Sequence, residues 1–120
     1  MYADQYEVRL ARVRHRFAAT LESKITDAVV SVDRMSRGTE GVGKQVSQSY
    51  RDLHGICGIG PTVGFTATGA AARAAEVSLM QAHRERRALT ANEILILKKA
   101  LQGLRVAAAS ELRLMYQRGG

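Results

Sequence analysis

Thr90-Ala91-Asn92-Glu93-Ile94-Leu95-Ile96-Leu97-Lys98-Lys99-Ala100-Leu101-Gln102-Gly103-Leu104 is the stretch from which the fold is read. Thr90 followed three residues later by Glu93 is a capping box, in which each side chain satisfies a backbone N–H at the start of a helix. Ile94, Leu97, Leu101, Leu104, Ala108, Leu112 and Met115 then recur at steps of three and four. That spacing puts them on one face of an α-helix. The pattern predicts a helix ending near Gln117, with Gly119-Gly120 as a loose tail.

Upstream, residues 66–86 read as another helix, with Thr66 or Thr68 as its cap. Ala70, Ala71, Ala74 and Ala75 are small enough to let it approach a neighbour closely. Val77, Leu79 and Met80 are expected to extend that contact. His83-Arg84-Glu85-Arg86-Arg87 reads as a solvated, basic exit, suited to a helix C-terminus. At the other end of the chain, Tyr6, Leu10, Val13, Phe17, Leu21, Ile25, Ala28, Val32 and Met35 form a 3.6-period stripe. It predicts one long helix over 5–36, stopped by Gly38. Thr39 is the expected cap of a second helix, with Val42, Val46, Leu53 and Ile56 on its buried side. Pro61 lacks an N–H and ends that helix near Ile59 or Gly60. The expectation is an all-α, antiparallel four-helix bundle with a long N-terminal helix, one domain over residues 1–120.

Composition agrees. Of 120 residues, 46% are hydrophobic, with no Trp, one Pro, two Phe and four Tyr, and no alternating β-branched runs. The longest apolar run is too short to span a bilayer, and no apolar signal core is expected at the start. The single cysteine cannot form an internal disulfide, which suits a reducing cytoplasm. The net charge of +7 is spread along the chain rather than gathered in a tail; it reads as a soluble basic surface, with a partner that has an acidic face as the functional alternative.

The second helix carries the candidate site. On a wheel of about 100° per residue, His54 falls beside the buried face, with Ser47, Gly58 and Arg51 close to it on the outer shoulder. Gly55 and Gly58 are costly in a helix interior, about 0.5–1 kcal/mol each relative to Ala. Close approach by another surface would explain them. His15 and His83 read as solvated. A phosphate-cradling loop is excluded, because no strand precedes the glycines and no Gly-Lys-Ser/Thr follows them. A metal shared by His54 and Cys57 lacks further ligands. Cys57 lies toward a helix C-terminus, which opposes a thiolate and makes it apolar filler.

The spacing of His54, Gly58 and Gly64, followed by Phe65, resembles the signature of the histidine-containing phosphotransfer (HPt) family. Glu76, within Ala70-Ala71-Ala72-Arg73-Ala74-Ala75-Glu76, stands where that family has a glutamate on the next helix. The specific part of the resemblance covers residues 51–76. It implies a four-helix bundle in which His54 accepts a phosphoryl group and Glu76 accepts a hydrogen bond from the second ring nitrogen. A solvated glutamate is the alternative for Glu76. Two departures stand out. Cys57 occupies the place of a family lysine that neutralises the phosphoryl group, leaving Arg51, Lys44 or Arg73 to supply charge. Pro61 stands where the family has a small helical residue.

The resemblance implies a phosphoryl carrier rather than a turnover enzyme. His54 would shuttle the group between aspartates of response regulator receiver domains in a two-component phosphorelay. Arg51, Gly58, Ser47, Cys57 and Gly55 would line the docking face. The chain would need no cofactor of its own, since Mg²⁺ would sit in the partner receiver domain. A sensor or hybrid histidine kinase would start the relay, because no ATP-dependent kinase core is read in this chain. Two readings from other classes stay open. One is a non-catalytic four-helix module that binds a regulator or kinase. The other is a small basic nucleic-acid-binding protein, for which the usual turn and aromatic signatures are missing.

Overall fold

The computed structural model describes residues 2–36 and 41–118. The fold is all-α, and the described residues form four helices: α1 (Tyr2–Ser36), α2 (Val42–Ile59), α3 (Thr66–Glu85) and α4 (Ala91–Gln117). A 3₁₀ turn, Gly60–Val63, joins α2 to α3. Each helix packs on the next and α4 returns to α1, while the diagonal pairs do not approach. The short connections and these neighbours fit an antiparallel bundle. The expected caps Gly38 and Thr39 lie outside the described residues.

One core runs through all four helices. It includes Leu21, Ile25 and Val32 of α1, Val46, Leu53 and Ile56 of α2, Ala72, Ala75 and Leu79 of α3, and Leu97, Leu101 and Leu104 of α4. The predicted α4 stripe is buried from Leu97 to Met115, with Ile94 packed at its edge. The capping box is formed. Thr90 Oγ1 accepts from the Glu93 N–H at 3.1 Å, and Glu93 Oε1 accepts from the Thr90 N–H at 2.8 Å. The Leu89 N–H donates to the Met35 carbonyl at 3.0 Å, which fastens the α3–α4 connection to the end of α1.

Three sequence expectations need correction. Tyr6 and Val13 are not core residues: they are 64% and 40% exposed. With 35 residues against 18, α1 outruns α2, and Arg14 already lies level with the 3₁₀ turn, donating to the Val63 carbonyl at 2.9 Å. Periodicity marks a stripe, but burial needs a neighbour long enough to cover it. Next, Ala70, Ala74 and Val77 face outward, and the alanines that admit close packing are Ala72, Ala75 and Ala82. Finally, neither Thr66 nor Thr68 is the cap of α3. Phe65 occupies that position with no side-chain bond. Glu111 of α4 instead accepts from the Ala67 N–H, the Thr68 N–H and the Thr68 hydroxyl at 3.2, 2.7 and 2.6 Å. A carboxylate from a neighbouring helix thus meets the positive end of α3.

The break after α2 falls where Pro61 predicts it. Gly64 takes φ +92°, a left-handed conformation that a side chain would strain. The Pro61 ring presses on Gly69, where an added Cβ would lie 2.7 Å from the ring. Gly69 therefore lets the turn fold back onto α3.

Candidate functional site

Val46, Ser49, Leu53 and Ile56 face the core of α2, so His54 is carried onto its shoulder. Its side chain is 66% exposed. Opposite it, on α3, Glu76 is fully buried at 0% exposure. A solvated glutamate is thereby ruled out. The two meet directly, His54 Nδ1 to Glu76 Oε1 at 2.8 Å. Arg73, one turn earlier on α3, places a guanidinium nitrogen 3.3 Å from the same oxygen. Glu76 Oε2 is buried with no hydrogen-bond partner among the described residues.

Burial opposes ionisation of Glu76, but the hydrogen bonds and positive charge of His54 and Arg73 outweigh it and hold the carboxyl below its ordinary value. At neutral pH Glu76 is therefore a carboxylate, which can only accept. The proton between the two groups belongs on His54 Nδ1, so in the neutral form of the ring the lone pair falls on Nε2. Since Nδ1 is turned inward, Nε2 is turned toward solvent. The pair thus presents a fixed tautomer with its basic nitrogen outward.

Tyr50, one turn before His54, stacks parallel to its ring with centroids 6.0 Å apart and planes 8° apart. Tyr50 also stacks against His83 at 4.3 Å and 11°. His83 Nδ1 lies 3.0 Å from Ser47 Oγ. Half-buried and doubly held, His83 is not the solvated residue its basic neighbours suggest. The register explains it. Seven residues back along α2 from His54 is Ser47, and seven forward along α3 from Glu76 is His83. Two antiparallel helices joined at one pair meet again two turns later. The sequence signal existed, but only once the first pair was known.

The remaining candidates divide. Gly58 is exposed, and nothing lies within 4 Å of the place a Cβ would take; the same space is open at Gly55. No internal packing demands either glycine. Cys57 is half-buried and packs against the core. Arg51 donates to Gln48 Oε1 at 3.2 Å, and Ser47 serves His83, so neither touches His54. Of the three cations considered for charge supply, Arg73 is the one bonded to the carboxylate that holds His54. Among the described residues no group of three or more metal-ligating side chains occurs, and no helix is long and apolar enough to cross a membrane.

Comparison with protein-family models, with curated proteins and with solved structures finds no match to this chain. The site itself belongs to a definable physical class: an exposed imidazole on a helix shoulder, oriented by a buried carboxylate from the adjacent helix.

Proposed function

We propose that the chain is a histidine phosphotransfer protein of a phosphorelay, with His54 as the phosphoacceptor. The observation that carries this reading is the His54–Glu76 pair, which turns Nε2 outward on a helix face left open at Gly58. The donor would be a phospho-aspartate in the receiver domain of a response regulator. The Nε2 lone pair attacks phosphorus, an N–P bond forms, and the acyl phosphate P–O bond breaks to return the aspartate carboxylate. The ring keeps its Nδ1 proton and becomes cationic, and the Glu76 carboxylate offsets that charge. Transfer to a second aspartate reverses the same steps. Such a reaction depends on positioning and charge neutralisation more than on covalent chemistry by the protein. Mg²⁺ would belong to the receiver domain, and a sensor or hybrid histidine kinase in the cytoplasm would feed the relay.

The test is phosphoryl transfer from a panel of labelled receiver domains to wild type and to His54→Gln. Acid-labile, base-stable label on wild type and none on a folded His54→Gln is the expected result. Label retained by His54→Gln would assign the chemistry elsewhere. Cys57 in place of a lysine favours a second reading, a module that binds a regulator without accepting phosphate. Binding without label on wild type would establish it.

A further inference from the structure

We propose that the groove between the start of α2 and the end of α3 receives a carboxylate-bearing segment of the receiver-domain partner, an inference that rests on the phosphotransfer reading above. The groove encloses about 510 Å³ and is lined by Gly43, Lys44, Ser47, Arg51, His83 and Arg86. Three of these are cations and none is an acid.

Ion pairs elsewhere join Arg73 with Glu76, Arg87 with Glu85 and Glu93, and Lys98 with Asp33. Lys44, Arg51 and Arg86 form no ion pair among the described residues, and Arg51 engages only a neutral amide. Arg86 adds an independent observation. It closes α3 at φ +52°, the single non-glycine residue with positive φ among those described. Glycine is the residue that fits this position without strain. A strained position held by a cation, on the wall of a basic groove, points to use of the charge. The start of α2 contributes as well. Its first turn, from Val42, holds no acid and brings Lys44 to the groove.

The groove is also prepared for contact. His83 is held by Ser47 and by stacking on Tyr50, so little ordering is needed when a partner arrives. Tyr50 also lies parallel to the His54 ring. Ser47 lies two turns from His54, about 10 Å along α2. A partner covering His54 with an interface of ordinary size, about 800 Å² on each side, covers the groove too. Lys44 and Arg51 stand seven residues apart on α2, about 10 Å along its axis, which suits several carboxylates better than a single phosphate.

The experiment measures binding of the receiver-domain panel to the full chain carrying His54→Gln, so that chemistry cannot intervene, with and without Lys44→Glu plus Arg86→Glu. The expected result is an affinity loss of about tenfold or more at low salt, shrinking as salt rises. Arg86→Gly is the folding control. It removes strain and charge together, so it should raise the melting temperature while weakening binding. Equal affinity and equal salt dependence in the charge-reversed variant, with wild type still accepting phosphate, would overturn the groove and leave the phosphotransfer reading intact. Failure of every receiver domain to bind wild type would remove both. Tight binding of duplex DNA that the charge reversal abolishes would give the groove to nucleic acid instead.

Discussion

Glu76 and Glu93 are both helix carboxylates paired with arginine, yet they sit in opposite circumstances. Glu93 stands at the start of α4 with both oxygens engaged. Arg87 grips it with two nitrogens, at 2.7 and 3.1 Å, and the Thr90 N–H adds a third bond. Those bonds, that to Arg87 foremost, hold its carboxyl at about 2. Glu76 is fully buried, shares one oxygen between His54 and Arg73, and leaves the other without a partner among the described residues. Burying a carboxylate with an unsatisfied oxygen is unfavourable for folding. Glu93 is arranged as a structural fastening. Glu76 is arranged to orient an exposed ring.

If the chain is the phosphotransfer protein proposed above, the largest effect that separates them is on transfer. Glu76→Gln places a neutral amide against Nδ1. An amide can donate as well as accept, so the tautomer is no longer fixed and the cationic product loses its counter-charge. The transfer rate should fall about tenfold, equivalent to about 1.4 kcal/mol. Melting at neutral pH should fall modestly, because the amide lacks the contribution that the ionised carboxyl makes. Transfer at the wild-type rate would mean that Glu76 has no orienting role. Thr90→Ala tests the other carboxylate's neighbourhood. It removes the acceptor for the Glu93 N–H and should cost about 1 kcal/mol of stability, measured by denaturant melting, with transfer unaffected. A melt unchanged by this substitution would show that the box contributes nothing.

Acid sharpens the contrast further. The folded-state carboxyl of Glu93 lies at about 2, below its ordinary value of 4.5. Its contribution is therefore complete above 4.5 and lost as pH falls toward 2. Glu76 is lowered in the same direction, so its contribution is also lost on acidification. Denaturant melts of wild type and Glu93→Gln should differ at neutral pH and converge as the pH falls through that window. A constant difference would contradict the assignment. The smallest effect expected is from Cys57→Lys, which puts a cation one turn beyond His54 and should raise the transfer rate modestly. A slower rate would show that Cys57 does not stand at a charge-supplying position.

Much of this was legible in the residues themselves. The α4 stripe, the capping box and the break at Pro61 are local statements, made by 3.6 periodicity, hydrogen-bonding chemistry and a missing N–H. His54 could be set on a shoulder because a helix wheel depends only on rise and turn. The length of a stripe did not tell how much of it is covered, and Tyr6 and Val13 extend past the neighbours that would bury them. The cap of α3 was misread because its acceptor, Glu111, is more than forty residues away. His83 was misread because its partners lie on another helix.

Sequence alone determined four amphipathic helices, where each begins or ends, and which side of α2 carries the histidine. These follow from short-range geometry, in which each residue's place is set by its near neighbours. Tertiary structure alone decided that Glu76 is buried against His54, that Arg73 shares its oxygen, and that His83 and Arg86 complete a groove beside Ser47. Those facts depend on the register between α2 and α3. Register is set by how two surfaces of side chains interlock, and no single helix carries that information.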